Sequence, residues 1–324
     1  MSDMHLVDFK GELASEPIRK GFGKGLLKAG QENTRVVAAC ADLTESTQMH
    51  LFKEEFPERF IEIGVAEQNL VTVGSGLAAM GKVPFVSSYA AFSPGRNWEQ
   101  IRTTICLNDR PVKIAGSHAG VSVGPDGATH QMLEDVALMR VLPNMVVIAP
   151  CDSVEAEKAT LAMAADKRPN YIRLAREATP VITTDKTPFG IGEAYVFQSG
   201  ADVSLIATGT MTYQALLAAE LLYKDGIEAE VIHVPTIKPL DAETILKSVR
   251  KTGAVVTAEE GQIIGGLGGA IAELLGEEQP TPMRRVGMKD RFGESGKPDE
   301  LMTHFGLDAK HIRLAAHSVL ENKG

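Results

Sequence analysis

The stretch RFIEIGVAEQNLVTVGSGLAAMGKVPFVSSY, residues 59–89, reads as strand, helix, strand. Its outer pieces, RFIEIG (59–64) and VPFVSSY (83–89), are short β-branched and aromatic runs. Between them AEQNLVTVGSGLAAMG (66–81) repeats with helical period, setting Leu70, Val73, Leu77 and Met80 on one face. Gly74 and Gly76 lower its helix propensity but permit close packing. A strand–helix–strand unit of this kind predicts a parallel sheet covered on both faces.

The alternation continues in both directions. RVVAAC (35–40) precedes the unit as a strand, and NWEQIRTTICLN (helix), PVKIAGS (111–117, strand), MLEDVALMRVL (helix), MVVIAP (strand), SVEAEKATLAMAA (helix) and YIRLAR (171–176, strand) follow it. Pro180, Pro188, Gly190 and Gly192 then fall in a stretch without periodicity, which reads as an interdomain linker. Beyond it DVSLIATG, EAEVIHV, AVVTAEE and MRRVGM are strands among helices. One of those helices opens at Asp241, a good N-cap, and closes at Gly253. The expected fold is α/β: two consecutive three-layer α/β/α domains with mainly parallel sheets, over residues 1–180 and 193–324 with a linker at 181–192.

Bulk properties narrow the function. The chain has 324 residues, 44% hydrophobic and 23% charged, with a formal net charge of −9. An acidic chain without a basic cluster is a poor match for nucleic acid or an anionic membrane. No apolar run reaches membrane-spanning length and the first residues are polar, so the expectation is a cytoplasmic protein. Cys40, Cys106 and Cys151 sit in apolar or strand-like contexts and read as reduced core thiols, and no zinc-ligand spacing occurs.

Polar segments follow four strands of the first domain: ADLTES, GVAEQN, SYAAF and SHAGVSVGPDGATH. In open α/β sheets ligands bind at the carboxyl ends of strands, so these four are expected to converge on one edge. Glu67 stands among apolar and small residues. It suits the first turn of a helix, or it is a buried carboxylate with a raised pKa that shares a proton with a basic ring nitrogen. His118, Asp126 and His130 share a glycine-rich loop, expected to be mobile, with Thr129 available to cap the next helix. Tyr89 and Phe92 are either packing residues or a stacking platform for a flat heterocycle. Arg19, Ser46 and Arg176 are each ordinary surface residues taken singly, and together they suit a phosphate. GGLGG (265–269) lacks the spacing of a phosphate loop and reads as close helix–sheet packing.

Taken in order, ADLTES, GVAEQN, SYAAF, SHAGVSVGPDGATHQ, LPNMVVIAP and IRLAREATP resemble the C-terminal half of transketolase, over most of the chain. The resemblance implies a pyrimidine-binding domain followed by a C-terminal domain, and thiamine diphosphate as cofactor. It implies that Glu67 contacts the ring nitrogen of the aminopyrimidine, with Phe92 and Tyr89 as its aromatic contacts and Asp42 near the thiazolium. It further implies that Asp126 bonds the donor hydroxyl beside the cleaved bond, that His130 faces the donor's carbonyl end, and that Arg19, Ser46, His118 and Arg176 grip the acceptor phosphate. The family's G-D-G motif with its downstream asparagine, which binds Mg²⁺ and the diphosphate, does not occur in this sequence. A partner subunit is therefore expected to supply those ligands, in a heterotetramer with two copies of each chain. The expected reaction transfers a two-carbon ketol unit between sugar phosphates. A 1-deoxyxylulose 5-phosphate synthase-like chain, the β-subunit of a 2-oxoacid dehydrogenase and a non-catalytic binding subunit are the alternatives. His118 and GPDGATHQ favour transketolase over the first two.

Overall fold

The computed structural model describes residues 4–9, 11–321 and 323. In chain order the strands and helices are β1 (Ser15–Pro17), α1 (Ile18–Glu32), β2 (Val36–Cys40), α2 (His50–Glu55), β3 (Phe60–Glu62), α3 (Glu67–Ala79), β4 (Val83–Tyr89), α4 (Trp98–Gln100), β5 (Lys113–Ser117), α5 (Asp135–Arg140), β6 (Val146–Ile148), α6 (Ser153–Ala165), β7 (Asn170–Arg173) and β8 (Ala178–Pro180). The second half holds β9 (Tyr195–Gln198), β10 (Val203–Ala207), α7 (Met211–Lys224), β11 (Ala229–His233), β12 (Thr236–Lys238), α8 (Ala242–Thr252), β13 (Val255–Gln262), α9 (Leu267–Glu278), β14 (Met283–Met288), α10 (Pro298–His304) and α11 (Ala309–Leu320).

These strands make a seven-stranded sheet in the order β12-β6-β7-β5-β4-β2-β3, a five-stranded sheet in the order β14-β13-β10-β11-β9 and a separate antiparallel pair, β1-β8. In the two large sheets the pairings are parallel throughout except at one edge of each, where β12 on β6 and β9 on β11 are antiparallel. The chain is thus two α/β units with mostly parallel sheets, as the alternation predicts. Central strands such as β2, β5 and β10 are buried along their whole length, as parallel strands covered on both faces must be.

Two details depart from the sequence reading. The inner face of α3 is Leu70, Val71, Gly74 and Ala78, not the stripe ending at Met80, which is 81% exposed. The helix is rotated because Gly74 lets it lie close to the sheet: a Cβ there would stand 2.9 Å from Val86. Secondly, β12 comes from the second half of the chain yet closes the sheet of the first, so both halves share one core cluster in which Val147 packs with Ile232 and Ile237.

A polar joint reinforces this seam. Glu155 accepts the Cys151 N–H at 2.7 Å and meets Nε2 of His233 at 2.8 Å, while Thr212 holds the other ring nitrogen at 2.8 Å. Cys151, Glu155 and His233 bring potential metal-ligating atoms within 4.8 Å of one another. Hydrogen bonds already occupy the carboxylate and both ring nitrogens, so the cluster works as an internal brace. All three cysteines are free and buried. Among the described residues, no helix is long and apolar enough to cross a membrane.

Candidate active site

Strands β5, β4, β2 and β3 are neighbours running the same way, so the polar segments after them open on one edge. Glu67 is the first residue of α3 and is 1% exposed. Ser88 at the end of β4 donates to its Oε1 at 3.3 Å, and Arg96 donates to its Oε2 at 2.7 Å. Asn97 fixes the backbone beneath by donating to the Glu67 carbonyl at 2.9 Å. Burial is as expected, but an enclosure of apolar groups is not what surrounds the carboxylate. A guanidinium rests on it, because SYAAF continues into a turn that carries Arg96 back over the helix start. The pair borders a cleft of about 530 Å³, also lined by Val65, Gln68, Thr72 and Gln100. The Oε1 atom of Gln100 and the Oδ1 atom of Asn97 are buried acceptors without a hydrogen-bond partner.

The aromatic residues lead from this cleft to the loop. Arg96 lies 4.8 Å over the Phe92 ring, and Phe92 meets the His130 ring edge-on at 5.4 Å. Tyr89 is stacked on His118 at a centroid distance of 3.9 Å and on Phe92 at 6.1 Å. Tyr89 therefore ties β4 to the loop, while Phe92 stands nearer Glu67 through Arg96. His118 has a φ of 56°, a left-handed backbone conformation rare for a side chain of this size. Its Nδ1 lies 2.9 Å from the Ser117 hydroxyl. Burial, and then the charges of Arg19, Arg176 and His130, push its pKa down to about 3. The ring is neutral at pH 7.

The loop itself is not the loose segment expected from its glycines. Residues 119–124 are buried, and residues 121–126 form a short 3₁₀ stretch. Thr129 does not cap the next helix: its hydroxyl lies 2.9 Å from Nδ1 of His130, and α5 begins only at Asp135.

Arg19 on α1 donates to the carbonyls of Arg176 at 3.2 Å and Ser46 at 2.6 Å. Arg176 in turn donates to the Val123 carbonyl at 2.7 Å and stands 3.7 Å from Asp126. Burial and the neighbouring Arg176 charge lower the pKa of Arg19. Two like charges are thus held together at a partly open surface, an arrangement that favours an anion. The contact of Ser46 with Arg19 runs through its backbone carbonyl. Asp42 is exposed at the end of β2 with a φ of 57°, its N–H held at 2.8 Å by Glu62. The same Glu62 carboxylate accepts the Gly64 N–H at 2.9 Å, so Asp42 is tied to the segment that leads into Glu67.

The structure therefore joins Glu67, Phe92, Tyr89, His118 and His130 by contacts through Arg96, and Arg19, Ser46, Arg176 and Asp126 by a second set whose charges reach His118, with Asp42 at the margin. Sequence reading missed Arg96, Ser88 and Glu62. Arg96 follows SYAAF in the chain, but its pairing with Glu67 spans 29 residues and no periodicity reports it.

Comparison with known proteins adds the family. Residues 16–181 match the pyrimidine-binding domain of transketolase, and residues 192–312 match the transketolase C-terminal domain. The chain is 44% identical over 315 residues to the 6-deoxy-6-sulfo-D-fructose transketolase subunit SqwH of Clostridium sp., covering 97% of this chain and 98% of that one. It is 36% identical over 295 residues to one of the apulose-4-phosphate transketolase subunits of Phocaeicola vulgatus, covering 91% and 94%. A solved split-gene transketolase, described as an inactive beta4 tetramer, superimposes with a TM-score of 0.90 at 45% identity, covering 95% of this chain and 99% of that one. The chain belongs to the transketolase family, a thiamine-dependent group of transferases, and carries that family's pyrimidine-binding and C-terminal domains, as its split-transketolase relatives do.

Proposed function

We propose that this chain is the C-terminal subunit of a thiamine diphosphate-dependent transketolase that moves a two-carbon ketol unit from a ketose phosphate to an aldose phosphate. It acts with a partner subunit that supplies the ligands of Mg²⁺ and the diphosphate, in a heterotetramer of two copies each. The observation that carries this reading is the run of contacts from the buried carboxylate of Glu67 through Arg96, Phe92 and Tyr89 to His118, with the charges of Arg19 and Arg176 near enough to act on the His118 ring.

The cleft at Glu67 fits an aminopyrimidine. It offers a carboxylate for a ring nitrogen and in Gln100 a buried acceptor without a partner for an amine, and Phe92 lies behind Arg96 as an aromatic face for the ring once Arg96 moves. The cofactor, held at these residues, would supply a nucleophilic carbon and an electron sink for cleavage of the donor's C–C bond. Glu67 holds a proton at the ring nitrogen, for which Arg96 must yield its place on the carboxylate. Phe92 and Tyr89 orient the ring and exclude water beside it, and Asp42 lies at the thiazolium end. Asp126 accepts a hydrogen bond from the donor hydroxyl, and His130 faces the carbonyl end as an acid–base group. His118, neutral at pH 7, contributes a hydrogen bond rather than charge, so Arg19 and Arg176 meet the phosphate with Ser46 beside them.

The relatives named for sulfofructose and apulose 4-phosphate differ in their sugars. Specificity is accordingly proposed to lie in the sugar-facing loop. The test is an assay with xylulose 5-phosphate and ribose 5-phosphate, run with and without the co-purifying partner. Ketol transfer only in the reconstituted pair supports the proposal. Transfer by the lone chain, or acyl transfer to a lipoyl group instead, counts against it.

A further inference from the structure

We infer that the C-terminal domain holds the substrate loop in its working shape through Glu260, which makes Glu260 a positioning residue for His118, Asp126 and His130. Glu260 lies in β13 and is 3% exposed. Its carboxylate spans the seam between the two halves. Oε1 accepts the Ser122 N–H of the loop at 2.8 Å, and Oε2 accepts the Thr210 hydroxyl of its own domain at 2.8 Å. Its backbone carbonyl accepts from Arg173 of the first sheet at 2.6 Å.

The loop is shaped for this contact. Gly120 has a φ of 93°, and a Cβ there would stand 2.2 Å from Oε1 of Glu260, so only glycine allows the approach. The rest of the loop is seated on the same domain. Gln131 at its far end donates to the carbonyls of Val121 at 3.0 Å and Gly124 at 3.2 Å, and across the seam to Glu294 at 2.9 Å. A Cβ on Gly124 would meet Pro298, and one on Gly127 would meet Ser295. Glu260 is the charged member of this set. A buried carboxylate that accepts an N–H and an O–H is strongly held, and its removal leaves the Ser122 N–H without a partner in a dry site. His118 precedes the clamp, and Asp126 and His130 follow it. A loop released at Ser122 therefore loses the spacing between the phosphate-facing and donor-facing groups. The kinetic part of this inference rests on the transketolase reading above; the structural part does not.

The test is hydrogen exchange by mass spectrometry on the full chain, comparing Glu260→Ala, Glu260→Asp and Glu260→Gln. In the Ala variant amides of residues 118–131 should exchange about tenfold faster or more, while β10 and β13 keep their protection. Asp is too short to reach both partners and should also release the loop, and it decides the matter if the Ala variant fails to fold. Gln keeps an oxygen for Ser122 and can donate to Thr210, so it should behave as the parent. Parental exchange of the loop in the Ala variant, or in Asp where Ala does not fold, overturns the inference, as does a Gln variant as loose as Ala. With the partner present, the Ala variant should raise the KM for ribose 5-phosphate about tenfold and leave thiamine diphosphate affinity within about twofold. Absence of turnover in the parent itself would count against the transketolase reading and leave the exchange result to decide this one.

Discussion

Glu67 shows what one side chain can be asked to do in two states. Its carboxylate is buried and carries Arg96 at 2.7 Å. Replacing it with Gln keeps the volume and the bond from Ser88 but not a carboxyl proton. Turnover of the reconstituted enzyme should fall by about 10²–10⁴ in kcat while the unfolding midpoint moves little. Near-parental turnover would remove the proton-sharing role. His118 gives a second prediction, through pH. Its folded pKa of about 3 lies below the ordinary 6.5. The unfolded chain therefore binds the extra proton between those values, and the stability tied to the neutral ring is complete above 6.5 and is lost as pH falls. Glu259 has the opposite sign. Burial, against hydrogen bonds from Gly268 and Leu267, raises it from 4.5 to about 7, so its contribution is complete below 4.5 and fades as pH rises through 7. Between pH 4.5 and 6.5 the two oppose each other. His118→Asn should tilt the stability profile downward with rising pH, relative to the parent, by up to about 1.4 kcal/mol per pH unit. Urea unfolding across that range checks it, and parallel profiles for parent and variant would refute it. At this scale the sequence is informative about residue types at strand ends. It is silent on partners such as Arg96, because a contact across a fold leaves no local pattern. Glu259 is a related case. GGLGG does pack closely on the sheet, and the chain's own Glu259 accepts the Leu267 and Gly268 N–H groups at that helix start, each at 2.8 Å.

Elements place these side chains, and α1 shows how. It crosses α6 so closely that a Cβ on Gly21 would stand 1.8 Å from the Ser153 carbonyl oxygen, and one on Gly25 would stand 2.8 Å from that of Glu157. Glycine at these two sites, one turn apart, sets the depth at which α1 lies, and with it the reach of Arg19 to Ser46 and Arg176. Gly21→Ala gains about 1 kcal/mol of helix propensity. It collides with backbone that has no rotamer to yield, at an expected net cost of about 2 kcal/mol. Chemical denaturation should show that loss, together with a raised KM for the phosphate-bearing acceptor. A variant as stable as the parent would mean that the two helices can part at little cost. A second anchor lies at the opposite end of α6. The ammonium of Lys113, wholly buried, donates to the carbonyls of Asp166 and Arg168 and to Asn170, at 2.7, 2.8 and 2.6 Å. Lys113→Met leaves three acceptors unpaired and should destabilise by about 3 kcal/mol or more, which the same titration measures. β4 and β14 were legible to the residue as short runs of strand-forming residues, and α6 as a run free of glycine and proline. Strands β9 and β12 escaped because four and three residues carry too little pattern, and their place is settled by pairing partners far along the chain. In α3 the element was legible and its rotation was not, since a glycine that allows close approach counts for nothing in an apolar stripe.

At the scale of the whole molecule, charge decides how much of the proposed cofactor one chain can hold. The chain carries a net charge of −9, and its cleft presents the Glu67 carboxylate. A diphosphate needs a cation with oxygen ligands before it can sit beside an acidic protein, and the G-D-G motif that provides them in the family is missing from this sequence. What that cleft offers is a carboxylate and a few acceptors, enough to orient a ring and too little to hold a charged tail. Thiamine diphosphate with Mg²⁺ should accordingly bind the reconstituted pair at least about a hundredfold more tightly than the lone chain, a difference of ~3 kcal/mol, as calorimetry would measure. In the same titration, removing Mg²⁺ with a chelator should weaken the pair and leave the weak binding of the lone chain nearly unchanged, because that binding engages the ring alone. If the isolated chain bound the metal-loaded cofactor as tightly as the pair does, or if chelation weakened both alike, the division of the cofactor between two polypeptides would have to be abandoned.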